Sequence, residues 1–236
     1  MNLPKKLVRL LLFYVLALVL TYIARKQVNV LNLLLQNISD IPFSFNYNHG
    51  IAVALLAFLF YRFGGIAQSI TLLGSEKLKS LLFPLVLFTV YGVVGINNAH
   101  GINPHLWALL FCFLAFVYNI MEEYAWRGWV IDALGNVHYV VKSMVSGVLW
   151  AFWHLLIFAD FNQYGGFWVF MAFCVVFSFI LTFAALRTKS VVAPAAIHAF
   201  IIQTNIAAVV CFVLFALLLV FWPKIGNIVK TKKPAV

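Results

Sequence analysis

Residues 105–134 read HLWALLFCFLAFVYNIMEEYAWRGWVIDAL, an apolar run that carries two adjacent carboxylates, Glu122 and Glu123, in its second half. Crossing a bilayer takes about 20 apolar residues, so this run is long enough to span as a helix. An ionised group at membrane depth costs at least about 2.5 kcal/mol. A carboxylate pair there marks a functional site unless the helix has already ended. An end near Ile120 would leave both glutamates in water, but apolar Trp126, Trp129, Val130 and Ile131 continue the pattern past them.

The rest of the chain has the same character. Of 236 residues, 65% are hydrophobic and only 9% charged, where a soluble domain carries about a quarter charged. Disorder and a secreted disulfide scaffold are both excluded. The three cysteines, Cys112, Cys174 and Cys211, lie inside apolar runs without metal-type spacing and read as packed thiols. The net charge of +10 has no soluble basic domain to carry it, so nucleic acid is set aside as a partner. The sequence predicts an all-α, polytopic membrane helical bundle.

Runs and breakers predict about eight transmembrane segments, over 7–24, 50–65, 80–94, 105–134, 140–158, 166–186, 191–203 and 205–222. The seventh is short for a full span, and the last two can be read as one broken helix. Lys5, Lys6 and Arg9 ahead of the first segment imitate a signal peptide. Tyr22 stands where a cleavage site needs a small residue, so the segment reads as a retained helix. Placing the N-terminus inside puts 14 of the 16 Lys and Arg on cytoplasmic stretches, with only Arg25 and Lys26 outside. That asymmetry predicts both termini in the cytoplasm. The outer loop 27–48 carries an apolar patch near Leu31 that fits the interface. No internal repeat supports a transporter built from inverted halves. The expected organisation is N-terminal helices and the outside loop over 1–104, a catalytic core over 105–210, and a last helix with a basic tail over 211–236.

Helical spacing separates the two glutamates. Glu123 and Arg127 are four apart and share a face, so they pair. Glu122 lies about 100° around the helix, with Trp126 as its i+4 neighbour and no obvious counter-charge, which suits a general base. Of six histidines, His154 and His198 alone fall inside apolar segments. Segments four and five form a hairpin around Gly135. Glu122 lies twelve residues before Leu134 and His154 twelve after Lys142, each about 18 Å from the same hairpin end. His198, seven residues past Val191, is about 10 Å deep from that side. The depths predict convergence of Glu122, His154 and His198 in one intramembrane pocket.

The stretch Met-Glu-Glu-Tyr-Ala-Trp-Arg-Gly (121–128) is similar to the E-E-x-x-x-R motif of the CPBP family, the CAAX protease and bacteriocin-processing enzymes also called Abi proteins. Trp-Ala-Phe-Trp-His (150–154) resembles its F-x-x-x-H motif, and the residues into His198 resemble the approach to its third, H-x-x-x-N or H-x-x-x-D. The resemblance covers about 106–210. It implies an eight-span intramembrane endopeptidase whose site opens to the cytoplasm, in a multi-pass cell-membrane protein. Its substrates would be prenylated CAAX-type proteins or small bacteriocin-type peptides. Glu122 and His154 would activate water, Glu123 and Arg127 would hold the first motif, and His198 would stabilise the oxyanion.

Two positions depart from that pattern. Trp150 replaces the Phe of the second motif, which reads as an aromatic exchange that keeps the packing. Ile202 occupies the place of the third motif's Asn or Asp and has no donor for an oxyanion. Gln203 or Asn205 would substitute only if the helix breaks there. Ile202 also favours a second reading, a catalytically impaired relative serving as a regulatory or immunity protein. One carboxylate and two imidazoles suit zinc in principle. Without an H-E-x-x-H spacing, and with Glu122 needed as base, no metal and no other cofactor is expected.

Overall fold

The computed structural model describes residues 3–38 and 46–230. Asp40 and the basic tail residues Lys232 and Lys233, which entered the charge argument, lie outside the described residues. The chain forms α1 (Leu3–Arg25), α2 (Val30–Ile38), α3 (Asn48–Phe63), α4 (Lys77–Ser80), α5 (Leu82–Val94), α6 (Pro104–Glu123), α7 (Val130–Leu134), α8 (Tyr139–Trp153), α9 (Phe167–Thr188), α10 (Val192–Ala199) and α11 (Ile206–Lys230). A π-helical stretch, Tyr124–Trp129, joins α6 to α7. Among the described residues there is no β-strand; Thr71 and Ser190 form an isolated parallel bridge.

Six helical stretches among the described residues are long and apolar enough to cross a membrane: Lys5–Arg25, Lys77–Val94, Pro104–Leu134, Tyr139–Leu156, Phe167–Thr188 and Ile206–Ile225. The other two expected segments are helical but shorter. Segment 50–65 is the 16-residue α3. Segment 191–203 is the eight-residue α10 followed by a single 3-10 turn, Phe200–Ile202. Its end has a local cause, since Gln203 is extended at φ −143° and ψ 137°. That break separates α10 from α11, as the reading of the last two segments as one broken helix expects. The outer loop contains α2 where the sequence marked only an apolar patch.

The helices divide between two compact units, Met1–Ser69 with Met121–Phe183, and Ile70–Ile120 with Ala184–Val236. In the first unit α1 buries Leu10, Phe13, Ala17 and Thr21, a stripe at helical spacing, and leaves Leu7, Val8, Leu11, Leu12, Val15 and Val19 exposed. A helix with one packed stripe and apolar residues elsewhere is solvated by hydrocarbon rather than water. Phe13 stacks on Trp129 with ring centroids 4.0 Å apart and meets Phe60 of α3 edge-on at 5.4 Å. Trp126 and Trp153 lie 5.4 Å apart, and the Trp153 indole donates to the Thr21 hydroxyl at 2.7 Å. Each aromatic pair adds about 0.5–1.5 kcal/mol beyond its area. Together they tie α1 and α3 to the π-helical stretch and the end of α8. Asp132 of α7 accepts from the Tyr61 hydroxyl at 2.8 Å, from the Ser69 backbone N–H at 2.8 Å and from the Ser69 hydroxyl, which fastens the chain leaving α3.

The hairpin between α7 and α8 turns at Gly135, whose φ of +64° an L side chain would resist. Along α8, Ser143, Ser146, Gly147, Trp150 and Ala151 form the buried stripe. Gly147 is where α8 meets α9 most closely: a Cβ there would stand 2.7 Å from the Val175 Cα and 3.0 Å from the Ser178 hydroxyl. In the second unit, α11 buries Ala207, Cys211, Phe215, Leu219 and Trp222 and exposes the residues between. Tyr91 of α5 donates to the carbonyls of Phe200, at 2.5 Å, and Gln203, at 3.2 Å, which secures the break after α10.

Candidate active site

The Glu-Glu pair lies at the end of α6, where the backbone changes from α to π. Glu122 and Glu123 are both buried. Arg127, inside the π-helical stretch, donates from Nη1 to Glu123 Oε1 at 3.2 Å with neither side chain exposed. Its Nη2 donates to the Ser178 hydroxyl of α9 at 2.6 Å. Its guanidinium carbon lies 4.5 Å from the centroid of the Trp150 ring. Three partners of three kinds thus surround a charge that burial would otherwise make very costly. The Ser146 hydroxyl donates to the Trp126 carbonyl at 2.9 Å, inside the π-helical stretch, where the usual helix bonding is interrupted.

Glu122 is held differently. The Trp150 indole donates from Nε1 to Glu122 Oε2 at 2.7 Å, with both residues buried. One turn further along α8, His154 Nδ1 bonds the Trp150 carbonyl at 2.7 Å. A carbonyl only accepts, so Nδ1 carries the proton, and in the neutral ring the lone pair is on Nε2. The imidazole is packed among Trp150, Trp153, Phe158 and Phe170, with Phe158 stacked on it at 5.1 Å. The acid and the imidazole therefore hang from the two ends of one residue, its side chain and its backbone.

Residues 103–204 match the family model described as Rce1-like, type II CAAX prenyl endopeptidase. That stretch is similar to the family over 102 of the 236 residues. Among curated proteins and solved structures nothing matches the chain. The matched stretch opens just before α6 and closes just after the break that follows α10, so Glu122, Glu123, Arg127, His154 and His198 all lie within it. The match to a peptidase family and the six helices long and apolar enough to cross a membrane both fit a multi-pass membrane protein.

Within the first unit Glu122, Glu123, Arg127 and His154 come together around Trp150. His198 is buried on α10, in the second unit. The helix does break after Ile202. Asn205 Oδ1 accepts from the Ala208 N–H at 3.3 Å as a cap for α11, and the Gln203 carbonyl takes the Tyr91 bond. The sequence reading missed two contributors. Ser178 lies in no motif, and nothing in its neighbourhood marks it. Trp150 stood out as a departure, yet its N–H bond to Glu122 went unread because only packing was weighed. Among the described residues no three His, Cys, Asp or Glu side chains are grouped as ligands for a metal ion.

Proposed function

We propose that the chain is an intramembrane endopeptidase in which Glu122 and His154 activate a water molecule. The observation that carries this reading is the anchoring of both groups on Trp150, the carboxylate at 2.7 Å from its indole and the imidazole at 2.7 Å from its carbonyl. A base and an imidazole held on one rigid residue are preorganised for water activation, which saves reorganisation during reaction. Glu122 takes a proton as the water oxygen attacks the scissile carbonyl, and the same proton then passes to the leaving amine. Nε2 of His154 orients the water. His198 donates to the tetrahedral oxyanion, and the Glu123–Arg127 pair keeps the π-helical stretch in register. No metal takes part in this scheme.

The substrate class follows from the family, a peptide or lipidated protein with a prenylated CAAX-type end; small bacteriocin-type peptides are the alternative. In this reading the site opens to the cytoplasm in the cell membrane, and the 14-to-2 division of basic residues supports that orientation of the chain. A second reading, a catalytically impaired relative acting as a regulatory or immunity membrane protein, rests on Ile202. The deciding experiment incubates purified protein with a peptide ending in a prenylated CAAX sequence, beside Glu122→Ala and His154→Ala. Cleavage by the parent that both substitutions abolish is the expected result. Cleavage that survives both removes this assignment, and no cleavage by the parent favours the second reading.

A further inference from the structure

A buried indole N–H needs an acceptor, and a buried carboxylate needs donors. In this chain each meets the other: Trp150 Nε1 lies 2.7 Å from Glu122 Oε2, across 28 residues of sequence. A phenylalanine ring, the residue the second motif ordinarily carries, has no such donor. The ring's rotation is fixed as well. Its face carries the Arg127 guanidinium at 4.5 Å, and tryptophan is the best aromatic partner for a cation. With one face loaded by Arg127, the edge bearing Nε1 is turned to Glu122. The carbonyl of the same residue takes His154 Nδ1, beside the backbone N–H of His154 that also reaches it at the end of α8.

We propose that Trp150 is a positioning residue that couples the three charged or titratable groups of the site, and that its N–H sets the rotation of the Glu122 carboxylate. This rests on the reading of Glu122 as the base. Trp150 touches no reacting atom; it acts through Glu122. Loss of its N–H therefore lowers the rate of the chemical step and leaves substrate binding alone.

The test compares Trp150→Phe, and the protein carrying 3-benzothienylalanine at position 150, with the parent and Glu122→Gln. The benzothiophene keeps the shape of the indole and replaces N–H with sulfur. On the prenylated CAAX peptide both changes at 150 are expected to lower kcat about tenfold, the worth of a hydrogen bond to a charged group, with KM within about twofold. An unchanged kcat in the benzothienyl protein, with Glu122→Gln inactive, overturns the inference and leaves the proposed function standing. A Glu122→Gln protein that cleaves as the parent does overturns both. Should the parent leave the peptide intact, the hydrogen bond itself is read by NMR of indole-15N protein in detergent. The Trp150 Nε1–H resonance, identified by its loss in Trp150→Phe, is expected to move upfield in Glu122→Ala. A resonance that stays in place overturns the inference without any reference to activity.

Discussion

Arg127 meets Glu123 at 3.2 Å with both side chains withdrawn from solvent, one turn apart on the stretch where the helix widens to π. Ser178 and the Trp150 ring add contacts to Arg127 that offset part of the desolvation of the two charges. Removing one partner takes the buried ion pair from the other. Arg127→Met and Glu123→Leu are each expected to cost about 3–5 kcal/mol. The double substitution leaves no stranded charge and should be milder than either alone. Thermal unfolding in detergent of the two single variants and the double variant measures this coupling. A double variant as unstable as the two single costs combined would show that the pair does not act as a unit.

At Gly147 two opposing effects can be weighed by size. Alanine gains up to about 1 kcal/mol over glycine in a helix interior. Here its Cβ would stand 2.7 Å from the Val175 Cα, closer than atoms approach without a backbone shift, and overpacking costs about 1–3 kcal/mol. Gly147→Ala is therefore expected to be net destabilising and to separate α8 from α9. Because α9 carries Ser178, the variant should also lose activity on the peptide. A thermal midpoint at or above the parent's would show that the helices have room to spare.

What was legible in the sequence divides along physical lines. Apolar runs marked every long helix, since a membrane-spanning segment declares itself by composition over about 20 residues. The Glu123–Arg127 pair was legible because an i,i+4 spacing survives the change from α to π. The bond between Trp150 and Glu122 was not. It depends on the rotation of α8 about its axis, which Gly147 sets through its approach to Val175, and on the π-helical stretch that follows Glu123. Residues 121–129 hold no proline and a single glycine, Gly128, which a helix tolerates, so the sequence reads as ordinary α-helix through them. At 191–203 the expected extent agrees with the helical stretch Val192–Ile202, and Gln203, Thr204 and Asn205 announced the break but not the 3-10 turn before it.

Metal dependence is open to direct measurement. A base held by an indole N–H and an imidazole held by a carbonyl can activate water as they stand. Exhaustive chelation is expected to leave the rate on the prenylated peptide unchanged. A rate lost on chelation and restored by zinc would make Glu122 and the histidines ligands instead, with the base to be found elsewhere.

The last prediction concerns Ile202, on the 3-10 turn after α10. The family's third motif has Asn or Asp there, and removal of one oxyanion donor commonly costs about 10²–10³ in rate. Gln203 and Asn205, the nearest side chains with an amide N–H, lie beyond the break, where Gln203 is extended. Ile202→Asn is therefore expected to raise kcat at least about tenfold, with KM little changed, because an oxyanion donor acts in the transition state and not on bound substrate. Steady-state kinetics of Ile202→Asn beside Ile202→Leu separates this from a packing effect. If both substitutions leave kcat where it was, the position does not face the developing charge, and His198 or a backbone N–H supplies all the stabilisation there is.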